Sequence, residues 1–308
     1  MVQIKLLTDF DNLFEIAEHF RDEATCLKYL EYYYWNNGVR CPHCNCSKIY
    51  RCKTRLKCSK CKVYFSLKHG TMFAHSAIPL KKWFMAMYLI GVNNGISSVK
   101  LGKMIKIRQA TAWFMLHRIR GLLNQNDVQL EGIVSSDETF VGGKNKNRHV
   151  DKKVDYSDRV SRDFPDKVPV LGMMEKGGNV KTVVIENTLG SSILPIIKKT
   201  IKEGSRWVTD NYFDARKLNN RYKREVTNHH LYQYKSKRGY STNNIENFWS
   251  LLKRMIIGVY HNVSKKHLQR YCDELAFRFN ARHLHAGERL NLMFSKLHLR
   301  LNYKQLTK

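Results

Sequence analysis

The sequence predicts a chain of mixed α/β class, in which a metal-held ribbon and a helical region precede a larger α/β core. Three observations carry this. Two Cys-x2-Cys pairs, Cys41/Cys44 and Cys58/Cys61, stand 13 residues apart. Residues 71–127 carry apolar side chains at helical spacing. From Glu131 onward the pattern changes to short apolar runs broken by Gly turns, in the order β-β-β-α-β-α, with a further helix later.

The totals narrow the function classes. A chain of 308 residues has room for one large domain or two to three smaller ones. Lys and Arg number 54 against 26 Asp and Glu, a net charge of +28, and such an excess predicts a polyanionic partner, most often nucleic acid. No apolar run approaches the ~20 residues of a membrane span, and no lipidation motif is present. The stretch Met1–Asp11 lacks the apolar region and cleavage site of a signal peptide. The expectation is a cytoplasmic, nucleoid-associated protein with no membrane contact. Six of the 8 cysteines lie between Cys41 and Cys61. In a reducing compartment such clustering means metal rather than disulfides.

Residues 1–37 read as an N-terminal segment of two short helices. Leu13, Phe14, Ala17 and Phe20 mark one apolar face; Leu27, Leu30 and Tyr34 mark the next. Asn36-Asn37-Gly38 is a stop signal. Residues 38–70 form the ribbon. Each Cys-x2-Cys pair chelates locally, so Cys41, Cys44, Cys58 and Cys61 supply four thiolates to a tetrahedral Zn2+. Four sulfurs leave no open coordination position, so this zinc is structural. His43, Cys46 and Cys52 form no second pair and read as bystanders. The ribbon presents Lys48, Arg51, Lys53, Arg55, Lys57, Lys60 and Lys62, a basic surface suited to DNA; a ribbon that only packs is the alternative.

Residues 71–127 form the helical region. Phe65–Phe73 reads as a strand into a Gly turn, Pro79 opens a helix, and the apolar run Trp83–Ile90 marks that helix as buried. Ser97–Met104, a turn at 105–107 and a second helix to Arg120 give a helix-turn-helix pattern, with Ala112, Leu116 and Ile119 on the apolar side. Gln109, Thr111, Arg118 and Arg120 are the candidates to reach a major groove. An ordinary helical hairpin is the competing reading.

Residues 128–285 form the α/β core, and residues 286–308 a C-terminal tail with the look of another amphipathic helix. Within the core, strands are predicted at 132–141, 167–175, 179–186 and 206–210. Helices are predicted at 191–202, from 213, and over 265–282. The loop 144–167 is polar, and a basic loop over 234–240 carries Lys235, Lys237 and Arg238. It feeds a helix in which Ile245, Phe248, Trp249, Leu252 and Ile256 line one face. This order matches a ribonuclease-H-like core. In such a sheet the first and fourth strands can be neighbours, and the late helix packs across them. Asp137, Asp210 and Glu246 then converge, and carboxylates suit Mg2+ or Mn2+, the ions of phosphoryl transfer. Asp137 and Glu138 face opposite sides of their strand, and alternation alone does not choose between them. Asn247 competes with Glu246 as the third residue. Glu246 is preferred because a carboxylate binds metal better and Asn247 lies further from the apolar face. Trp249 reads as core, Cys272 as a packed thiol, and His229, His230 and His267 as surface or DNA-contacting residues.

The strings C-P-H-C with C-S-K-C, F-S-L-K-H-G-T-M-F with I-P-L-K-K-W, D-E-T-F-V-G-G-K, V-T-D and T-N-N-I-E-N-F-W-S-L-L-K-R followed by V-S-K-K-H-L-Q-R-Y run in order over residues 35–282. Together they resemble the ISXO-type DDE transposases of bacterial insertion sequences, which carry an N-terminal zinc ribbon. The resemblance implies a DNA transposase that binds double-stranded element ends and target. A 3′-OH attacks a phosphodiester, with Mg2+ or Mn2+ held by Asp137, Asp210 and Glu246. It selects Asp137 over Glu138. It implies that Lys253 contacts DNA near the cleaved phosphate, with Arg254 as the neighbour able to substitute. Paired ends imply a homo-oligomer, at least a dimer, during the reaction. The chain departs from the pattern at Asn211, where relatives often carry an acid, and in the 144–167 loop. Another ribonuclease-H-like nuclease and a transposase-derived DNA-binding regulator without catalysis are the competing readings.

Overall fold

The computed structural model describes residues 6–52, 55–143, 145–147, 149–153, 166–210, 220–227, 235–236 and 238–307. The chain divides into two compact units, residues 1–123 with 281–308, and residues 124–280.

The first unit opens with helices α1 (Leu13–His19) and α2 (Glu23–Tyr34). Asn12 caps α1 by accepting from the Glu15 N–H, and Asp22 caps α2 by accepting from the Thr25 N–H. The apolar face of α1 runs through Ile16 and on to Phe20. Phe14, assigned to that face from spacing, is 86% exposed instead. It lies two residues from Ile16, about 200° around the helix. Strands β1 (Ile49–Cys52), β2 (Arg55–Cys58) and β3 (Tyr64–Phe65) form an antiparallel three-stranded ribbon. Of the strand expected over 65–73, only Phe65 is in β3; turns follow, with Gly70 at φ +76°. Helix α3 (Leu80–Val92) buries Trp83, Phe84, Met87 and Ile90, and its first N–H, that of Leu80, donates to Glu23 Oε2 at 2.8 Å. Helices α4 (Ser98–Met104) and α5 (Gln109–Leu122) follow. They approach closely at Gly102, where a Cβ would stand 2.9 Å from the Ile107 carbonyl oxygen. Ala112, Leu116 and Ile119 are buried, as their spacing predicts.

The second unit is built on strands β4 (Ile133–Val141), β5 (Val168–Glu175), β6 (Val180–Val184), β7 (Arg206–Asp210) and β8 (Lys223–Thr227). Their order across the sheet is β6-β5-β4-β7-β8. A tight turn with Gly177 at φ +76° makes β5 and β6 an antiparallel hairpin, and β4 pairs antiparallel with β5. Helix α6 (Gly190–Thr200) supplies the crossover that lets β7 return parallel to β4. The strand β8 was not legible as one. Lys-Arg-Glu-Val-Thr is polar because it lies at the sheet edge, where charge guards against further pairing. Its Glu225 accepts from Arg206 and Arg238.

Helix α7 (Asn243–Met255) runs into a single π-helical turn (Ile256–Tyr260), and α8 (Lys265–Asn280) closes the unit. The pleat sorts the side chains into two cores. On one face Val170 and Met174 pack with Ile245, Phe248, Trp249 and Leu252 of α7 and with α8. On the other, Val134, Leu171, Met173 and Trp207 pack with Ile193 and Ile197 of α6. Cys272 is fully buried, and burial pushes its thiol pKa up, consistent with a packed thiol. The helix expected from 213, His229 and His230, and most of the 144–167 loop lie outside the described residues.

Helices α9 (Ala286–Ser295) and α10 (Tyr303–Thr307) belong to the first unit. Leu290, Met293, Phe294 and Leu297 are buried there, Arg289 donates to the Gly91 carbonyl at 3.0 Å, and the Met72 N–H donates to Leu297 at 2.7 Å. The segment read from sequence as a tail therefore supplies core. Among the described residues, no helix is long and apolar enough to cross a membrane.

Candidate active site and metal centre

The ribbon gathers its sulfurs by two equivalent turns. Cys41–Cys44 is followed by Asn45 at φ +57°, and Cys58–Cys61 by Lys62 at φ +58°. These left-handed residues fold each turn back on itself; the Asn45 N–H donates to the Cys41 carbonyl and the Lys62 N–H to that of Cys58. The Sγ atoms of Cys41 and Cys61 stand 3.5 Å apart, as do those of Cys44 and Cys58, and all four lie within 4.8 Å of one another. A tetrahedral zinc with Zn–S near 2.3 Å has sulfur–sulfur edges of about 3.8 Å. The four thiols fit that ion, and among the described residues no His or carboxylate joins the cluster. Cys46 and Cys52 stand outside it: Cys46 Sγ lies 3.5 Å from Ser59 Oγ, and Cys52 is exposed.

In the second unit the acids are placed by register. Strands β4 and β7 are parallel, with Ser135 opposite Val208. Two residues further along each strand stand Asp137 and Asp210, on the same face of the sheet. Asp137 pairs across β5 with Gly172, which faces α7, whereas Glu138 pairs with Leu171 on the α6 side. The pleat therefore turns Asp137 toward α7 and Glu138 away from it. Asp137 and Asp210 also border one small cleft, whose other lining, Ser136, Glu138, Ile193, Trp207 and Thr209, lies toward α6.

Helix α7 brings Glu246 to the same face in its first turn. Thr242, buried at the helix start, donates through Oγ1 to Glu246 Oε1 at 2.8 Å. Three residues beyond Glu246, the Trp249 indole Nε1 donates to Asp137 Oδ2 at 3.0 Å. Asp137 is held up to about pH 6. Burial is the main cause; the Glu138 N–H and the Trp249 indole act in the opposite direction, and the charges of Glu246 and Asp210 add to the rise. Both other carboxylates thus act electrostatically on Asp137. Asn247 is exposed, whereas Glu246 is half-buried. Lys253 and Arg254 are exposed in the last turn of α7. Sequence reasoning assigned Trp249 to the core. It is buried, but its N–H also serves Asp137, and helical spacing from Glu246 was the available signal.

The helical pair of the first unit gives a mixed result. Gln109 is exposed and Thr111 half-buried at the start of α5. Arg118 and Arg120 are corrected: both are buried. Arg118 donates from Nε to the Leu301 carbonyl and from Nη1 to the Met72 carbonyl, each at 2.9 Å, so its fork satisfies backbone rather than facing a groove.

Comparison with known proteins completes the description. Residues 129–280 match the family model described as the ISXO2-like transposase domain, and residues 21–63 match the transposase zinc-ribbon domain. Over 160 residues the chain is 31% identical to a protein of Halobacterium salinarum described as an uncharacterized protein in transposable element ISH50; the match covers 49% of this chain and 54% of that protein. The chain thus spans about half the length of the curated relative it matches.

Proposed function

We propose, from the premise that this chain belongs to the ISXO2-like transposase family through its zinc-ribbon and transposase domains, that it binds insertion-sequence ends and carries out metal-dependent cleavage and strand transfer on DNA. The observation that carries this reading is the register of β4 and β7, which sets Asp137 beside Asp210 on the face that α7 covers with Glu246. The sheet order, three antiparallel strands followed by two parallel ones, supports reading residues 124–280 as a ribonuclease-H-like catalytic domain.

Asp137, Asp210 and Glu246 would hold Mg2+ or Mn2+. The donor set fits, being hard carboxylate oxygens; the Asp137 pKa is raised chiefly by burial and further by the charges of Glu246 and Asp210, a repulsion that a divalent cation would relieve. Bound there, such ions supply activation of the attacking 3′-OH and stabilisation of the leaving oxygen in an in-line displacement. The chain's own groups do the rest. Thr242 holds the Glu246 carboxylate. Lys253 and Arg254, exposed on α7, grip phosphates beside the acids. The zinc ribbon of residues 38–70 and the helix-turn-helix-like region of 71–127, with Gln109 and Thr111 at the start of its second helix, supply recognition of the ends. The +28 net charge favours the phosphate backbone throughout. Holding two ends together calls for at least a dimer.

The test is nicking and strand transfer on DNA carrying the gene's own flanks, with Mg2+ or Mn2+, for wild type beside Asp137→Asn, Asp210→Asn and Glu246→Gln. Metal-dependent joining that disappears in all three is the expected result. DNA binding without cleavage under every condition would instead favour a regulator derived from a transposase.

A further inference from the structure

On the strand that pairs with β4, the position opposite Asp137 is empty of side chain. Gly172 fills it, and a Cβ there would stand 2.8 Å from Ile245 Cδ1 and closer still to Cζ2 and Cη2 of the Trp249 indole. The ring therefore lies directly on the β5 backbone, where no other residue than glycine leaves room for it. Its edge contact with Phe248, centroids 5.7 Å apart, fixes the ring from a second side. At 4% exposure the indole is held by packing, and it points its Nε1–H at Asp137 Oδ2.

The chemistry of this donor matters. An indole N–H donates and cannot accept, and it carries no charge. It therefore fixes the orientation of a carboxylate while leaving its negative charge intact. A Lys or Arg in the same place would neutralise Asp137 and repel a cation. The second buried indole of the unit makes the contrast: Trp207 Nε1, on the opposite face, donates to the neutral hydroxyl of Ser136 at 2.7 Å. We propose that Trp249, seated on Gly172, is a positioning residue that orients the Asp137 carboxylate for divalent-metal binding. Together with the Glu138 N–H it takes up part of the acceptor capacity of the carboxylate and leaves the remaining lone pairs for the ion. One amino acid of α7 thus supplies both core packing and the orientation of a ligand on β4. The inference rests on the reading of Asp137 as a metal ligand.

The test measures Mn2+ affinity by electron paramagnetic resonance titration, beside strand transfer as a function of Mn2+ concentration. The proteins are the full chain, Asp137→Asn, Trp249→Phe, and the chain with β-(3-benzothienyl)alanine at position 249. That last residue keeps the bicyclic shape but replaces the N–H by sulfur, so packing on Gly172 is retained if Trp249→Phe fails to fold. Loss of an outer-shell partner costs about 10- to 100-fold in metal affinity. The expected result is a Kd for Mn2+ raised about tenfold or more in the two Trp249 variants, unchanged melting of the benzothienyl protein, and strand transfer regained at high Mn2+. Wild-type Mn2+ affinity in a folded benzothienyl protein would overturn the inference while Asp137→Asn still loses the ion. Wild-type affinity in Asp137→Asn would overturn the ligand reading itself, and the positioning role with it.

Discussion

The hydroxyl of Thr242 donates to Oε1 of Glu246 at 2.8 Å, one turn along the start of α7. Thr242 is 2% exposed while Glu246 is half-buried, so the donor is held by its packing and steadies the carboxylate where the helix enters the site. Thr242→Val keeps the shape and removes the donor. We expect strand transfer to fall about tenfold or more, with DNA affinity unchanged. Glu246→Gln should be the more severe variant, because it removes the charge as well as its support. If Thr242→Val retains full rate, the orientation of Glu246 is set by the helix alone.

The Asp137 carboxyl gives a pH signature. Its folded-state value is raised from the ordinary 3.8 to about 6, chiefly by burial. The folded chain therefore holds this proton more tightly than the unfolded chain does. The resulting stabilisation is complete below about pH 4 and is lost as pH rises through about 6. In Mg2+-free buffer, Asp137→Asn should stabilise the chain at pH 8 by up to about 3 kcal/mol, from about two pKa units at 1.36 kcal/mol each. The gain should vanish near pH 4. Thermal melting of both proteins across this range checks the sign. Added Mg2+ should stabilise wild type and leave the variant unchanged.

The zinc centre is separable from the acids. Its four sulfurs come from two knuckles within residues 41–61 and together make a complete tetrahedral donor set. Elemental analysis should give one zinc per chain for wild type, Cys46→Ser and Cys52→Ser, and none for Cys44→Ala. Stripping zinc should unfold the ribbon, since such sites contribute apparent binding free energies of about 10–16 kcal/mol to folding. Zinc retained in Cys44→Ala would mean that a bystander such as His43 or Cys46 takes its place.

How much of this was legible beforehand depended on the range of the interaction. The ribbon was readable because Cys-x2-Cys is a local chelate whose spacing already dictates its geometry. Strands β4 to β7 were readable from apolar runs and Gly turns. The edge strand β8 was not, because an edge strand guarded by charge looks like a loop. Alternation could not choose between Asp137 and Glu138. That required knowing that Gly172, not Leu171, faces α7, which is a matter of pairing register. The second role of Trp249 was hidden for the same reason: its acceptor lies 112 residues away in the chain. Phe14 failed in the opposite direction, since a helix of seven residues allows more than one apolar face to be drawn.

Arg118 shows what spacing alone cannot decide about a basic helix. It lies on a helix expected to face DNA, yet the guanidinium is buried and bonded to two carbonyls, those of Leu301 and Met72. Burial, and then the charge of Arg300, draws its pKa down to about 10. Arg118→Ala leaves both carbonyls without this donor, and we expect a loss of about 2–4 kcal/mol in stability. Lys, with a single point donor, should recover only part of it. Gln109 is the internal comparison, being exposed at the start of the same helix. Gln109→Ala should change stability by less than about 0.5 kcal/mol and weaken binding to the element ends. Denaturant melts beside DNA titrations separate the two. A wild-type melt for Arg118→Ala together with weaker DNA binding would return that arginine to the interface.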